Sequence, residues 1–146
     1  MKRRRQKKLA RKLVMAAMVG QTDGVRRLLR AGAQPDTPDP DGTTPLYAAS
    51  VHGSAGTVRL LLTAGAPPDS ESGYGTEGTP LCGAACWGHT EAVRALLEHG
   101  ADPDLREDHG TGRSPLEWAL AGPYPETVAV LLAAGATPPP DTGSGG

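Results

Sequence analysis

Two groups of residues in this chain have types and spacings that could do chemistry. Cys82, Cys86 and His89 stand at i, i+4 and i+7, which is one face of a helix if that helix runs on past Trp87. Thiolate and imidazole are zinc ligands, but a tetrahedral site wants a fourth donor and rarely draws three from a single helix. Gly88 is expected to end the helix before His89, which scatters the trio. Asp102, Asp104, Glu107, Asp108 and His109 crowd one long loop. Carboxylates suit a hard cation, yet this run lacks the ligand ladder and closing glutamate of an EF-hand. Neither a metal nor a cofactor is expected. The sequence has no GxSxG elbow, no glycine-rich loop ending in Lys-Ser/Thr and no HExxH, so no enzyme activity is expected either.

What remains is recognition. The chain holds two Trp, three Tyr and no Phe. Trp and Tyr join a large apolar area to one hydrogen-bonding group, which makes them the commonest anchors at interfaces. Trp87, Trp118 and Tyr74 are therefore the first residues to place.

The elements that carry them recur. Thr44-Pro45-Leu46, Thr79-Pro80-Leu81 and Ser114-Pro115-Leu116 are spaced by 35 residues, and Gly-Ala pairs follow at Gly32, Gly65, Gly100 and Gly135. Each unit reads as an N-capped helix opened by proline, a glycine turn, a second apolar helix and a glycine stop. In the second unit Leu46, Ala49 and Ser50 face inward, then Val58, Leu61 and Leu62. The third repeats this with Leu81, Ala84, Ala85, Val93, Leu96 and Leu97, and the fourth with Leu116, Ala119, Leu120, Val128, Leu131 and Leu132. A period in this range marks a solenoid of stacked units.

The charge is divided unevenly. Residues 1–12 hold eight of the 15 basic residues and no acid, leaving seven basic and 16 acidic residues for the rest. Good helix formers and the Leu9–Leu13 pair make this head a helical extension of the first unit. Residues 13–19 imitate the apolar run of a secretory leader, but no small-x-small cleavage site ends it. Leu13 instead falls in register with Leu46, Leu81 and Leu116. No apolar run approaches the ~20 residues needed to cross a bilayer. Cys82 and Cys86 are badly spaced for a structural disulfide, so a reducing, cytoplasmic setting is expected.

These units resemble the ankyrin repeat family. Its Thr-Pro-Leu-His-x-Ala motif stands here as TPLYAA, TPLCGA and SPLEWA, its Gly-His turn as Gly88-His89 and its Gly-Ala-Asp-x-Asp ending at Gly100 to Asp104. The resemblance covers residues 13–138 and implies an all-α solenoid of about four repeats: 13–40, 41–75, 76–110 and 111–138. Hairpin-like loops should project from it, with the basic extension 1–12 before it and a disordered tail 139–146 after it. Two departures stand out. The motif histidine is replaced by Tyr47, Cys82 and Glu117, which should cost the array the ties that this histidine makes between turns. Loops 70–78 and 105–113 are two residues longer than the period of the family allows, and the excess should sit at their tips.

The resemblance also implies a concave groove lined by loop tips and by the exposed positions of each first helix. Carried over, these positions give Met15, Met18 and Val19; Ala48, Val51 and His52; Gly83, Cys86 and Trp87; and Trp118, Ala121 and Gly122. Tyr74, Asp108 and Arg113 belong to the neighbouring loops. The expected site is therefore Trp87, Tyr74, Trp118, His52, Val51, Cys86, Arg113 and Asp108, with an acidic rim, binding a protein segment that carries Arg or Lys around an apolar anchor. The function implied is that of a monomeric, non-enzymatic adaptor or regulator. The alternative is a factor that uses residues 1–12 on nucleic acid or an anionic membrane, against which the acidic body argues.

Overall fold

Every first helix begins where its cap chemistry places it. The computed structural model describes residues 2–140; of the tail, residues 141–146 lie outside the described residues. Thr44, Thr79 and Ser114 accept backbone N–H bonds from Tyr47, Cys82 and Glu117, each at 3.2 Å, and a proline follows each cap. The carboxylate of Glu117 accepts the Ser114 amide in return at 3.1 Å. Such a cap stabilises a helix by about 1 kcal/mol, a large share for helices of seven residues.

The elements in order are α1 (Lys2–Met18), α2 (Thr22–Arg30), α3 (Pro45–Val51), α4 (Ala55–Thr63), α5 (Pro80–Cys86), α6 (Thr90–Glu98), the single turn α7 (Glu107–Gly110), α8 (Pro115–Ala121) and α9 (Pro125–Ala133). Helices α1, α3, α5 and α8 stack as one layer, and α2, α4, α6 and α9 as the other. The core between them is a ladder: Leu13, Leu46, Leu81 and Leu116 on one side, and Val58 with Leu61, Val93 with Leu96, and Leu131 on the other, all at most 2 % exposed. Burying each such side chain contributes about 1.5–3 kcal/mol. The basic head is continuous with α1. Ala10 is buried, and Arg5 and Gln6 donate to the carbonyls of Ala31 and Gly32 at the end of α2.

Leu120 and Leu132 depart from the expected inward pattern, at 49 % and 44 % exposed. Their counterparts Ala85 and Leu62 are buried beneath the following repeat, and a terminal repeat has no such cover.

Three loops project beside the first helices, each closed by a backbone bond: Asp39 N–H to Thr43 O, Ser72 N–H to Gly78 O, and Glu107 N–H to Arg113 O. The second and third pairs enclose two more residues than the first, so the insertions do lie at the tips. There Tyr74, Asp108 and His109 take left-handed backbone angles. The lost histidine is also made good. Tyr47 Oη donates to Glu77 O at 3.0 Å, Cys82 Sγ lies 3.6 Å from Arg113 O, and Glu117 pairs with Arg106 at 2.5 Å. Each replacement ties its helix to a loop by different chemistry.

The turns between paired helices interlock as well. Gly20, Gly53 and Gly88 have φ of +73°, +74° and +70°. Each is covered by the residue that precedes the second helix of the next repeat: Ser54, His89 and Tyr124 respectively. A Cβ on Gly53 would come within 2.5 Å of the His89 ring.

Candidate protein-binding surface

Trp87 is the C-cap residue of α5, held at φ −105° between the helix and the Gly88 turn. Its side chain is 60 % exposed. Among the described residues its indole N–H finds no acceptor. In register with it, His52 is the exposed C-cap of α3, and Val19 follows the end of α1. One position earlier come Met18, Val51 and Cys86, exposed or half-buried. The ends of α1, α3 and α5 thus present an apolar strip of Met18, Val19, Val51 and Trp87, with His52 and Cys86 as its polar members. Close approach of α5 to α3 requires Gly83, since a Cβ there would lie 2.8 Å from Val51 and 3.1 Å from Tyr47.

Trp118 does not join that strip. It lies in the first turns of α8, in register with Ala48 and Gly83. Its Nε1 donates to Glu107 Oε1 at 2.9 Å, and the Arg113 guanidinium lies 4.7 Å from its ring centroid. Both polar edge and π face are therefore engaged within the chain. Burial raises the Glu107 carboxyl above its ordinary pKa, the Trp118 bond opposes this, Asp108 and Glu71 push it further up, and Arg113 pulls it down. Cys86 feels the same pair: burial and Glu107 raise its thiol and Arg113 lowers it. Glu107 is thus a hub of charge at this end: it bonds Trp118 and lies within electrostatic range of Arg113 and Asp108, and it acts on Cys86.

The metal-like trio is dispersed. Cys82 is buried and pushed up to about 12, chiefly by desolvation, so it is a neutral thiol facing loop carbonyls. Helix α5 ends at Cys86, and His89 turns away onto Gly53.

Tyr74 stands elsewhere again. It is 76 % exposed with φ +56°, and its ring lies on Gly42, where a Cβ would come within 2.6 Å. It faces Lys7 and Arg11 of α1 across a cleft that contains neither tryptophan. Much of the acidic rim is committed to the loops. Asp39 accepts the amides of Asp41 and Thr43, Asp69 that of Asp102, and Asp104 that of Thr137. Glu77 accepts from Thr43 and Ser72, and Glu71 from the His109 amide.

Comparison with known families supplies the decisive observation: the family model described as ankyrin repeats (3 copies) matches residues 13–107 and 64–140. The chain belongs to the ankyrin repeat family. A comparison with curated proteins found no match. Ankyrin repeats are generally protein–protein interaction modules and typically non-catalytic. In this ankyrin array no described helix is long and apolar enough to cross a membrane.

Two members of the surface were not among the expected site residues. Glu107 stands in the acidic run of the last long loop, and Tyr47 at the position of the motif histidine. Burial, and after it the carboxylates of Glu77 and Glu107, raise the Tyr47 hydroxyl to about 12. One signal was available for Glu107: it opens the inserted part of a loop that ends at Arg113, five residues before Trp118.

Proposed function

We propose that this ankyrin protein is a monomeric, cytoplasmic adaptor or regulator that grips a protein segment along the ends of its first helices. One observation carries the reading: Trp87 is 60 % exposed while the second tryptophan is occupied within the chain. Leaving a large aromatic in water forgoes about 1.5–3 kcal/mol of burial, and aromatics at such positions are the usual interface anchors. Met18, Val19 and Val51 would extend the apolar contact, with His52 and Cys86 at its edge. Asp108 and Arg113 flank the Glu107 hub and would set the charge that a partner meets.

The partner that suits this surface carries an apolar anchor with Arg or Lys beside it, because the loops keep their negative charge even where their carboxylates accept internal bonds. Quantitative capture of partners with wild-type and Trp87→Ala baits tests the proposal. Specific partners should be depleted at least about tenfold by Trp87→Ala and retained by Leu132→Ala, at the far end of the stack. Equal recovery on Trp87→Ala would remove Trp87 from the binding site.

A further inference from the structure

The cleft between α1 and Tyr74 is separate from the Trp87 strip, and Trp87 is not among its lining residues. It measures about 510 Å³ and is lined by Lys7, Arg11, Thr37, Pro38, Asp39, Pro40 and Tyr74, within the size range of sites that enclose small ligands and side chains. Lys7 and Arg11 are one helical turn apart on the same exposed side of α1. Pro38, Pro40 and the Tyr74 ring supply rigid apolar walls. Tyr74 is set in advance: Gly42 leaves room for its ring, Gly73 N–H donates to Gly42 O at 2.8 Å, and the Ser72–Gly78 pair closes its loop.

Lys7 and Arg11 outnumber the acids that line this cleft. None of the ion pairs among the described residues involves α1, although the rest of the chain carries 16 acids. Asp39, the one carboxylate in the cleft, accepts the amides of Asp41 and Thr43 on one oxygen and keeps its charge, so two cations face one anion there. Two unpaired cations beside an aromatic and two proline rings call for a ligand with an apolar ring and adjacent negative charge. We infer that the Lys7–Arg11–Tyr74 cleft binds a short acidic peptide of a partner protein, with one aromatic or proline ring against Tyr74 and flanking carboxylates on Lys7 and Arg11.

A polyanion fits less well. Asp36, Asp39 and Asp41 border the same loop, and a regular row of phosphates leaving the cleft would meet them. A peptide with one or two carboxylates stops short of that repulsion.

The test uses the full chain and a fluorescein-labelled short peptide with phenylalanine between glutamates, read by fluorescence anisotropy. The Kd should rise about tenfold or more in Lys7→Glu/Arg11→Glu, and about fivefold in Tyr74→Ala or when glycine replaces the peptide phenylalanine. Trp87→Ala should leave it unchanged, which separates this site from the one proposed above. Amide chemical shifts on titration should cluster at Lys7, Arg11, Thr37 and Tyr74, a readout that needs no variant to fold. Three results would each overturn the inference: a Kd insensitive to both cleft variants, tighter binding to oligo(dT) or phosphatidylserine vesicles than to the peptide, or occupation of the cleft by a second copy in sedimentation.

Discussion

Replacing Gly88 by alanine should cost far more than the same change at Gly20, although the two backbones are nearly identical. Gly20 has φ +73° and Gly88 +70°, so both variants incur the left-handed penalty of about 1–2 kcal/mol. At Gly20 the new Cβ meets only the Ser54 hydroxyl at 3.0 Å, which can rotate away. At Gly88 it would overlap the Tyr124 ring, which adds an overpacking cost of about 1–3 kcal/mol. The totals are about 1–2 against about 2–5 kcal/mol, or, at roughly 3 °C per kcal/mol, losses of about 3–6 °C and about 6–15 °C in Tm. Thermal and urea unfolding followed by circular dichroism measures both. In a Tyr124→Ala background the Gly88→Ala penalty should fall to the Gly20 value. Equal penalties in the parent chain, or an undiminished Gly88 penalty without the ring, would refute the interlocked turns.

Other outcomes follow from single sites. Because the folded pKa of Glu107 is raised, its contribution is fully present below the ordinary value and lost as pH rises through the raised one. Glu107→Gln, which can still accept from Trp118, should therefore equal or exceed the parent in stability at pH 7, with the gap closing toward pH 4 in urea titrations. Cys82 is 1 % exposed with its thiol near 12, so iodoacetamide at pH 8 should label Cys86 alone in the native protein and both cysteines only on unfolding, as mass spectrometry would show.

The fold was legible because its determinants are local and repeated. Thr-Pro caps, glycine stops and apolar residues at helical spacing act within a few residues of themselves, and the period multiplies them. The end of the stack was misread at Leu120 and Leu132, since spacing reports which face a residue takes and not whether anything covers that face. The surface was only half legible. Trp87 and His52 stand at helix ends, where register alone places them. The occupation of Trp118 depends on Glu107, eleven residues away on a loop whose left-handed Asp108 and His109 no helical or strand pattern announces. Tyr74 meets α1 only through the packing of a loop against a helix more than sixty residues earlier.

The most direct measurement of the central claim reads Trp87 itself. In Trp118→Phe the remaining indole is Trp87, 60 % exposed in the free protein and so expected to emit like solvated tryptophan and be quenched by iodide. Adding a partner captured by the wild-type bait should shift that emission to shorter wavelength and cut iodide quenching at least about twofold, as burial of an interface anchor requires. An unchanged spectrum and unchanged quenching at saturating partner would contradict the assignment of this face as the binding surface.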